Sequence, residues 1–370
     1  MKLLMVLDNL KIDSGVSSIV IGLYRNMPDI STDFLIFNRS GRTYIPEVEA
    51  RGDKVFVLPN PLSPKSLPSA VRKLRCFFKI HAAEYDAVHL HSPSLNEFTL
   101  RFASRYGVPV RIMHSHSSIS SPSPLKRQLN RILQARVTRY ANRFWACSTE
   151  AAEFLYGKEF CAHNHVELIA NAVDSSAFTY EAVTRERMRL GLGLKNDMPV
   201  FAHVSNFSPI KNACFLLNVA KELSERGIDF RLLFVGDGPD HDEVMAKSAA
   251  EGVDTKCFFV GRTDDVPSYL QAADCLLLPS IKEGLPVSVV EAQACGLASI
   301  VSDTVTRECE AVTGQVKFLP LEVSRWVDAL YAFKPASDRT ALSKAFKASR
   351  FNICNEAARV ESLYLEMIGD

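Results

Sequence analysis

Residues 276–303 read LLLPSIKEGLPVSVVEAQACGLASIVSD. An apolar run ends at Pro279, a loop carries Glu283, Gly284, Leu285 and Pro286, a helix-like stretch stops at Gly296, and a second apolar run follows. Proline suits the first helical position, where its missing N–H costs nothing, and glycine suits the residue past the end, where the backbone turns left-handed. The segment is therefore predicted to run strand, loop, helix, strand. Two strands joined through a helix lie parallel in one sheet.

The same alternation continues in both directions. Strand-like runs in the first half are KLLMVL, DFLIF, KVFVLP, AVHLHS, PVRIMH, RFWACS and VELIA; in the second half they are VFAHVS, FRLLFVG, CFFVG, CLLLPS, ASIVSD and VKFLP. Helices are expected to open near Ser208, Asp240, Val266 and Pro286. Strands alternating with helical stretches predict parallel sheets wrapped by helices, an α/β class. The pattern weakens from about Asn171 to Pro199, where polar and Gly-rich residues interrupt it, so the interdomain crossing is placed there. Two facing doubly wound, Rossmann-like domains result, over residues 1–172 and 173–350. Residues 351–370 are expected to form a C-terminal helix that packs back on the first domain. Ligands of such sheets bind beyond the carboxyl ends of the strands, so a cleft between the two domains is the expected site.

A chain of 370 residues with 47% apolar residues exceeds the size at which one core usually stops growing. The nine cysteines form no C-x-x-C pair, and Cys214, Cys275 and Cys295 sit in apolar runs, as free thiols packed as small hydrophobes do; a reducing cytoplasm fits. The opening MKLLMVLDNLKID has an apolar run that stops at Asp8 and reads as a first strand, not a signal peptide. No run of about 18 apolar residues, the length a spanning helix needs, occurs. Net charge is +1, but residues 1–180 hold 22 Lys/Arg against 15 Asp/Glu and the remainder 21 against 27. Two stretches lack acid altogether: Lys54 to Ala83 and Phe98 to Thr149. They are an ordinary solvated surface or a patch that meets anionic lipid or a phosphorylated acceptor, and a peripheral place on the inner face of the plasma membrane follows from the second reading. Nucleic acid is disfavoured, since aromatic residues are not interleaved with the basic ones.

Glu283 and Glu291, if both were helical, would stand about 12 Å apart along the axis at roughly 1.5 Å per residue. That exceeds the roughly 5 to 10 Å of a glycosidase carboxylate pair. It suits the hydroxyl-bearing ends of an extended ligand, such as a sugar joined through diphosphate to a ribose. The loop before the helix presents free backbone N–H groups, which favour phosphate. Spacing alone nonetheless favours a plainer reading, with Glu291 on a helix surface and Glu283 a loop charge. In HVSNFSPIKN, residues 203–212, Ser208 is a plausible N-cap, Pro209 the first helical residue and Lys211 a first-turn cation, together a second element for diphosphate. Gly15 follows the first strand and, without a side chain, would let backbone approach a diphosphate. The GxGxxG spacing of dinucleotide folds is absent. Asp240-His241-Asp242 spells D-x-D, which can hold a divalent metal with a diphosphate, but acids opening a helix complement its dipole, and capping is the favoured reading.

EGLPVSVVE resembles the E-x7-E motif of the family-4 retaining glycosyltransferases, which are GT-B in fold. Other blocks resemble the same family in order: SGVSSIV, HLHS at 89–92, IMHSHSS at 112–118, ACS at 146–148, HVSNFSPIKN and LLFVGDGP at 232–239. The likeness spans nearly the whole chain and has the flavour of bacterial exopolysaccharide and capsule enzymes. It implies that Glu283 binds donor-sugar hydroxyls, Glu291 the ribose and Lys211 the phosphates. Ser205, Asn206, Gly236, Gly284, Leu285 and Pro286 are placed around the donor, and Arg262 near the base, where a solvated loop charge is the other reading. His116 matches the family's active-site histidine, while His89, His91 and His114 are its neighbours and candidate acceptor-side contacts. Two departures stand out. Ser14-Gly15 replaces the usual pair of glycines, and Ser205-Asn206 stands where the family has Gly-Arg, which removes one cation suited to bidentate phosphate binding.

The resemblance implies retaining transfer of a sugar, with a UDP-sugar favoured, to a hydroxyl of a glycan or lipid-linked acceptor. No cofactor and no metal are expected. No carboxylate is placed as a nucleophile, so the leaving diphosphate is expected to help take the acceptor proton, with Lys211 and the helix N-termini stabilising its charge. Domain closure would exclude water. The alternatives are an inactive sugar-nucleotide-binding partner subunit, suggested by Asn206, an epimerase or phosphorylase on the same fold, and a metal-dependent transferase built on the D-x-D.

Overall fold

The structure is a computed structural model and describes residues 1–12, 14–58, 66–92, 95–116 and 136–369. The chain divides into two compact units. The first comprises Met1–Ala170 with Ile353–Asp370, the second Asn171–Asn352.

In the first unit β1 (Lys2–Asn9), β2 (Ser31–Asn38), β3 (Val55–Val57), β4 (Ala87–Leu90), β5 (Val110–Ser115), β6 (Arg143–Ala146) and β7 (Glu167–Leu168) form one sheet in the order β3-β2-β1-β4-β5-β6-β7. All its pairings are parallel. Leu3 to Leu7 and Phe34 to Phe37 are buried without alternation, because a parallel sheet is covered by helices on both faces. The final helix, Ile353–Gly369, is tied to the end of this sheet. Arg359 donates to Leu168 O at 2.6 Å, Glu356 Oε1 accepts the N–H of Ala170 at 2.5 Å, and Ile353 lies against Gly22 of the helix Gly15–Arg25.

In the second unit β8 (Val200–Val204), β9 (Arg231–Val235), β10 (Cys257–Gly261), β11 (Cys275–Leu278), β12 (Ala298–Ser302) and β13 (Val316–Leu319) are ordered β10-β9-β8-β11-β12-β13, again all parallel. The order reverses beside the unit's first strand, between β8 and β11. Such a switch point opens a crevice at the strands' carboxyl ends, the usual ligand position of the doubly wound fold. Phe201, Phe207, Phe230, Phe234 and Trp326 fill the core.

Three local expectations are corrected. The helix expected near Ser208 opens instead at Ala213; Pro209–Lys211 forms a separate 3-10 turn, and Ser208 makes no side-chain cap bond. Asn212, left-handed at φ 54°, separates the two. Asp240 holds the N-cap position of His241–Ala250 but its side chain makes no cap bond, so the acids contribute through the dipole alone. The weak stretch 171–199 also contains a helix, Ala182–Gly191. Its buried anchor is polar: Arg189, 1% exposed, bonds to Ala272 O, Lys195 O and Asp274.

Candidate functional site

The crevice of the second unit is built from the ends of β8, β9 and β11. After β11, the chain passes Pro279 and Ser280 and reaches Glu283, which is 7% exposed. Lys211 Nζ lies 2.6 Å from Glu283 Oε1, and Ser280 Oγ donates to the same oxygen at 2.6 Å. The turn carrying Lys211 is pinned to this loop, for Ile281 N–H donates to Ile210 O and Asn212 Nδ2 to Pro279 O. Thr304, after β12, donates to Ser280 O from the other side. Asn171 Nδ2 donates to Leu285 O, and Gly284, Leu285 and Pro286 are all buried. Glu283 and Lys211 are thus held as a charge-assisted pair by backbone on both sides.

The helix Val287–Ala294 starts one residue after the position expected for Pro286, which caps it, and Gly296 follows its end at φ 62°. Only Glu291 of the two acids is helical, so the all-helical separation does not apply. Glu291 keeps part of its surface, and among the described residues its carboxylate has no hydrogen-bond or ion-pair partner. Burial pushes its carboxyl up to about 7.

Ser205 and Gly236 are joined by backbone packing. Ser205 N–H donates to Val235 O. A Cβ on Gly236, whose φ is 125°, would stand 1.9 Å from Ser205 O, and one on Gly238 would stand 2.5 Å from Phe207 O. Both glycines are therefore required by the approach of two loops, whatever binds there. His203, fully buried in β8, bonds through Nδ1 to Leu277 O and through Nε2 to Ser205 Oγ. A carbonyl only accepts, so Nδ1 carries the proton and Nε2 accepts a hydrogen bond from the Ser205 hydroxyl. Both donors of Ser205 are committed, leaving only lone pairs for a ligand. Burial lowers His203 to about 4, so it is neutral. Asn206 and Arg262 are exposed at the ends of β8 and β10.

In the first unit Gly15 opens the helix Gly15–Arg25 beyond β1, capped by Ser14, and among the described residues nothing lies within 4 Å of a Cβ placed on it. The open space does not itself demand glycine. His89, His91, His114 and His116 come together: His89 Nε2 is 3.1 Å from His114 Nδ1, and His91 Nδ1 is 2.8 Å from His116 Nε2. His89 also meets the Tyr364 hydroxyl of the final helix. Burial, reinforced by the neighbouring imidazoles, holds His89, His91 and His114 well below the ordinary histidine range. Of the basic patch, Lys126, Arg127 and Arg131 lie outside the described residues, while Arg136 is exposed and 3.6 Å from Glu97. Among the described residues no helix is long and apolar enough to cross a membrane.

Two family models match this chain: "Glycosyl transferase 4-like domain" over residues 15–172 and "Glycosyl transferases group 1" over residues 184–319. The glycosyltransferase EpsF of Bacillus subtilis is 31% identical over 327 residues, covering 85% of this chain and 83% of that one. The chain belongs to the family-4 glycosyltransferases. A second relative of this glycosyltransferase, from Escherichia coli, is the UDP-Gal:alpha-D-GlcNAc-diphosphoundecaprenol alpha-1,3-galactosyltransferase, 26% identical with 96% and 94% of the two chains covered. Among solved structures, HepE of Anabaena in complex with UDP superposes with a TM-score of 0.81 at 18% identity, covering 99% of this chain and 100% of that one. This agreement is one of fold, and the fold is GT-B.

Sequence pattern alone missed four positioning residues. Ser280 and Asn171 orient the Glu283 loop, His203 commits the Ser205 hydroxyl, and Arg339 donates to Cys295 O just past the Glu291 helix. None lies in a recognisable motif role, although Ser280 stands in the LPS that precedes Glu283.

Proposed function

We propose that this glycosyltransferase moves a hexose from a UDP-sugar to a hydroxyl of a glycan or lipid-linked acceptor in exopolysaccharide or capsule synthesis. The anomeric configuration is retained and no metal is used at the diphosphate. The observation that carries this reading is the Lys211–Glu283 pair at the switch point between β8 and β11. An ammonium fit for a diphosphate and a carboxylate fit for sugar hydroxyls stand 2.6 Å apart. The name of the Escherichia coli relative favours a UDP-sugar donor and a lipid-linked acceptor.

On this reading Lys211 and the N–H groups preceding the Val287–Ala294 helix stabilise the charge that grows on the leaving diphosphate. Glu283 fixes the sugar by accepting from its hydroxyls. Gly15 and Gly236, with Ser205, Asn206, Gly284, Leu285 and Pro286, shape the donor site, and Arg262 lies toward the base. Asn206 supplies a neutral hydrogen bond in place of the family's arginine. His116 acts beside the donor sugar. His89, His91 and His114 are buried around His116 and support it rather than meet the acceptor. The basic stretches place the protein on anionic membrane.

Glu291, binding the ribose hydroxyls as the ionised form, gives the donor a pH signature. Its free carboxyl ionises near 7, so UDP affinity should rise from pH 6 to pH 8 by roughly tenfold at most per unit below that value. Glu291→Gln should weaken binding at pH 8 and flatten the profile. For stability the sign is opposite. A carboxyl raised from 4.5 to about 7 on folding costs stability progressively as pH rises through that window, and Gln removes the cost. Calorimetric titrations and melts of both chains between pH 5 and 8 check this; an unchanged UDP profile in the variant would remove Glu291 from the ribose.

The activity test presents a panel of UDP-, GDP- and ADP-hexoses with soluble glycans and with lipid-linked acceptors in anionic vesicles, in the absence of Mg2+ and Mn2+. A UDP-specific rise in melting temperature, vesicle-dependent transfer and an unchanged anomeric configuration by NMR support the reading. Donor binding without transfer to any acceptor would favour a non-catalytic partner subunit. Transfer that requires the divalent ion would favour the D-x-D at Asp240.

A further inference from the structure

Four histidines of the first unit, His89, His91, His114 and His116, form a lattice that hydrogen bonding alone does not complete. β4 and β5 are adjacent and parallel, with His89 opposite Ile112 and Leu90 opposite Met113. Residues two apart share one face of a strand, so His89 and His91 form one row and His114 and His116 the next. Ring centroids are 3.9 Å and 4.0 Å apart within the rows. Across the rows they are 5.2 Å apart for His89 and His114 and 5.1 Å for His91 and His116. His89, His91 and His114 are 0%, 4% and 1% exposed.

A neutral imidazole carries one N–H and one lone pair. If the Tyr364 hydroxyl donates to His89 Nδ1, His89 Nε2 must donate to His114 Nδ1, and His114 Nε2 keeps an N–H with no acceptor. If Tyr364 accepts instead, the chain reverses and His114 Nε2 is a bare lone pair. Either way it is buried without a hydrogen-bond partner among the described residues, as is His91 Nε2, and an unmet buried polar atom is costly. One ring nitrogen from each of His89, His91 and His114 lies within 4.8 Å of those of the other two.

We propose that His89, His91 and His114 bind a divalent transition metal of the zinc, nickel and copper class at the carboxyl ends of β4 and β5. Three neutral imidazoles are a donor set that suits these ions and not calcium or magnesium. At metal–nitrogen distances of about 2.0–2.1 Å, neighbouring ligand nitrogens stand roughly 3 to 3.5 Å apart. His89 Nε2 and His114 Nδ1 already stand 3.1 Å apart, and an ion beside the line between them replaces the proton they share. The ion takes the two lone pairs; the shared proton moves to an outer ring nitrogen, so no imidazole becomes charged. His89 then donates Nδ1–H to the Tyr364 oxygen, an outer bond that fixes ring and tautomer. A water in the fourth position, acidified by the ion, offsets part of the buried charge. The site would clamp the two strand ends that carry His91 and His116, and it runs against the expectation of no metal. It stands independently of the donor reading, since every residue in it belongs to the first unit.

The test uses the full chain without an affinity tag. After equilibration with Zn2+ and gel filtration, elemental analysis should find about one ion per chain, with a rise in melting temperature. His91→Gln and His114→Gln should abolish retention, whereas His163→Gln, at an exposed site, should not. Tyr364→Phe should keep the stoichiometry but weaken affinity by about 10- to 100-fold. No retained metal in the wild-type chain, or equal retention in His91→Gln and His114→Gln, overturns the proposal. Should those variants not fold, the Cu2+ complex of the wild-type chain decides by electron paramagnetic resonance: coupling to imidazole nitrogens supports the site, and its absence overturns it.

Discussion

Lys211→Ala is expected to lower kcat for sugar transfer by roughly 10²- to 10³-fold, the usual loss when one preorganised charge stabiliser is removed. The ammonium is not a mobile surface charge. Its turn is held by Ile281 and Asn212, and its side chain is only 18% exposed where it meets Glu283. On the proposed reading, a diphosphate arriving at the crevice meets a cation already placed. The substitution also has a stability effect, because Glu283 is left buried with the Ser280 hydroxyl among its remaining partners. Breaking a buried pair from one side costs up to about 3–5 kcal/mol, less here since Lys211 reaches solvent. The double substitution Lys211→Ala, Glu283→Gln separates the two effects. It should recover much of the melting temperature and none of the activity. Steady-state kinetics and melts on the three chains make the comparison; a Lys211→Ala enzyme within a few-fold of the wild-type kcat would mean that the lysine only neutralises Glu283.

Arg339→Met should cost about 3 kcal/mol or more, the scale set by leaving several buried carbonyls unmet. Its guanidinium donates to the carbonyls of Leu270, Gln271, Ala273 and Cys295, at 2.9 to 3.2 Å, and lies over the Tyr180 ring. Burial lowers it to about 10, so it stays charged at neutral pH. Its own carbonyl is where a Cβ on Gly296 would strike, 2.2 Å away. Arg339 therefore gathers the ends of two helices, one of which carries Glu291. At roughly 2–4 °C per kcal/mol for a unit of this size, the transition should fall by about 10 °C. Arg339→Lys should recover little, since a compact ammonium cannot span four carbonyls. Calorimetry checks both; a shift of only a degree or two would show that the surrounding helices hold without it. UDP affinity should fall with the Met variant even below its transition, through displacement of the Glu291 helix.

The central strands were the most legible, because burial on both faces leaves an unbroken apolar run, as at LLMVL and CLLL. The helix Ala182–Gly191 was not, for a related reason. Val183 and Leu190 are 76% and 82% exposed, and what the helix buries is Arg189. Hydrophobic periodicity carries no trace of a helix anchored by a guanidinium. Glu283, Glu291 and Lys211 were singled out through a motif, yet the motif did not say that Lys211 rides on a 3-10 turn or that Glu283 is its partner. Those depend on Asn212 turning left-handed and on its bond to Pro279 O, a contact between segments 67 residues apart. Gly236 was legible as a special glycine, but the reason is the Ser205 carbonyl beneath it.

By itself the sequence determined two parallel doubly wound units, the succession of their strands along the chain, and the family to which the residues around Glu283 and Glu291 belong. These follow from local rules, the period of burial and the residue types a turn or cap accepts. Only the tertiary structure decided the state of those residues: that Glu291 ionises near 7, that Ser205 has no hydrogen left to give, and that His89 meets a tyrosine 275 positions away. Protonation and hydrogen-bond supply depend on distance from water and on which groups meet across the fold, and neither is a property of any segment read alone.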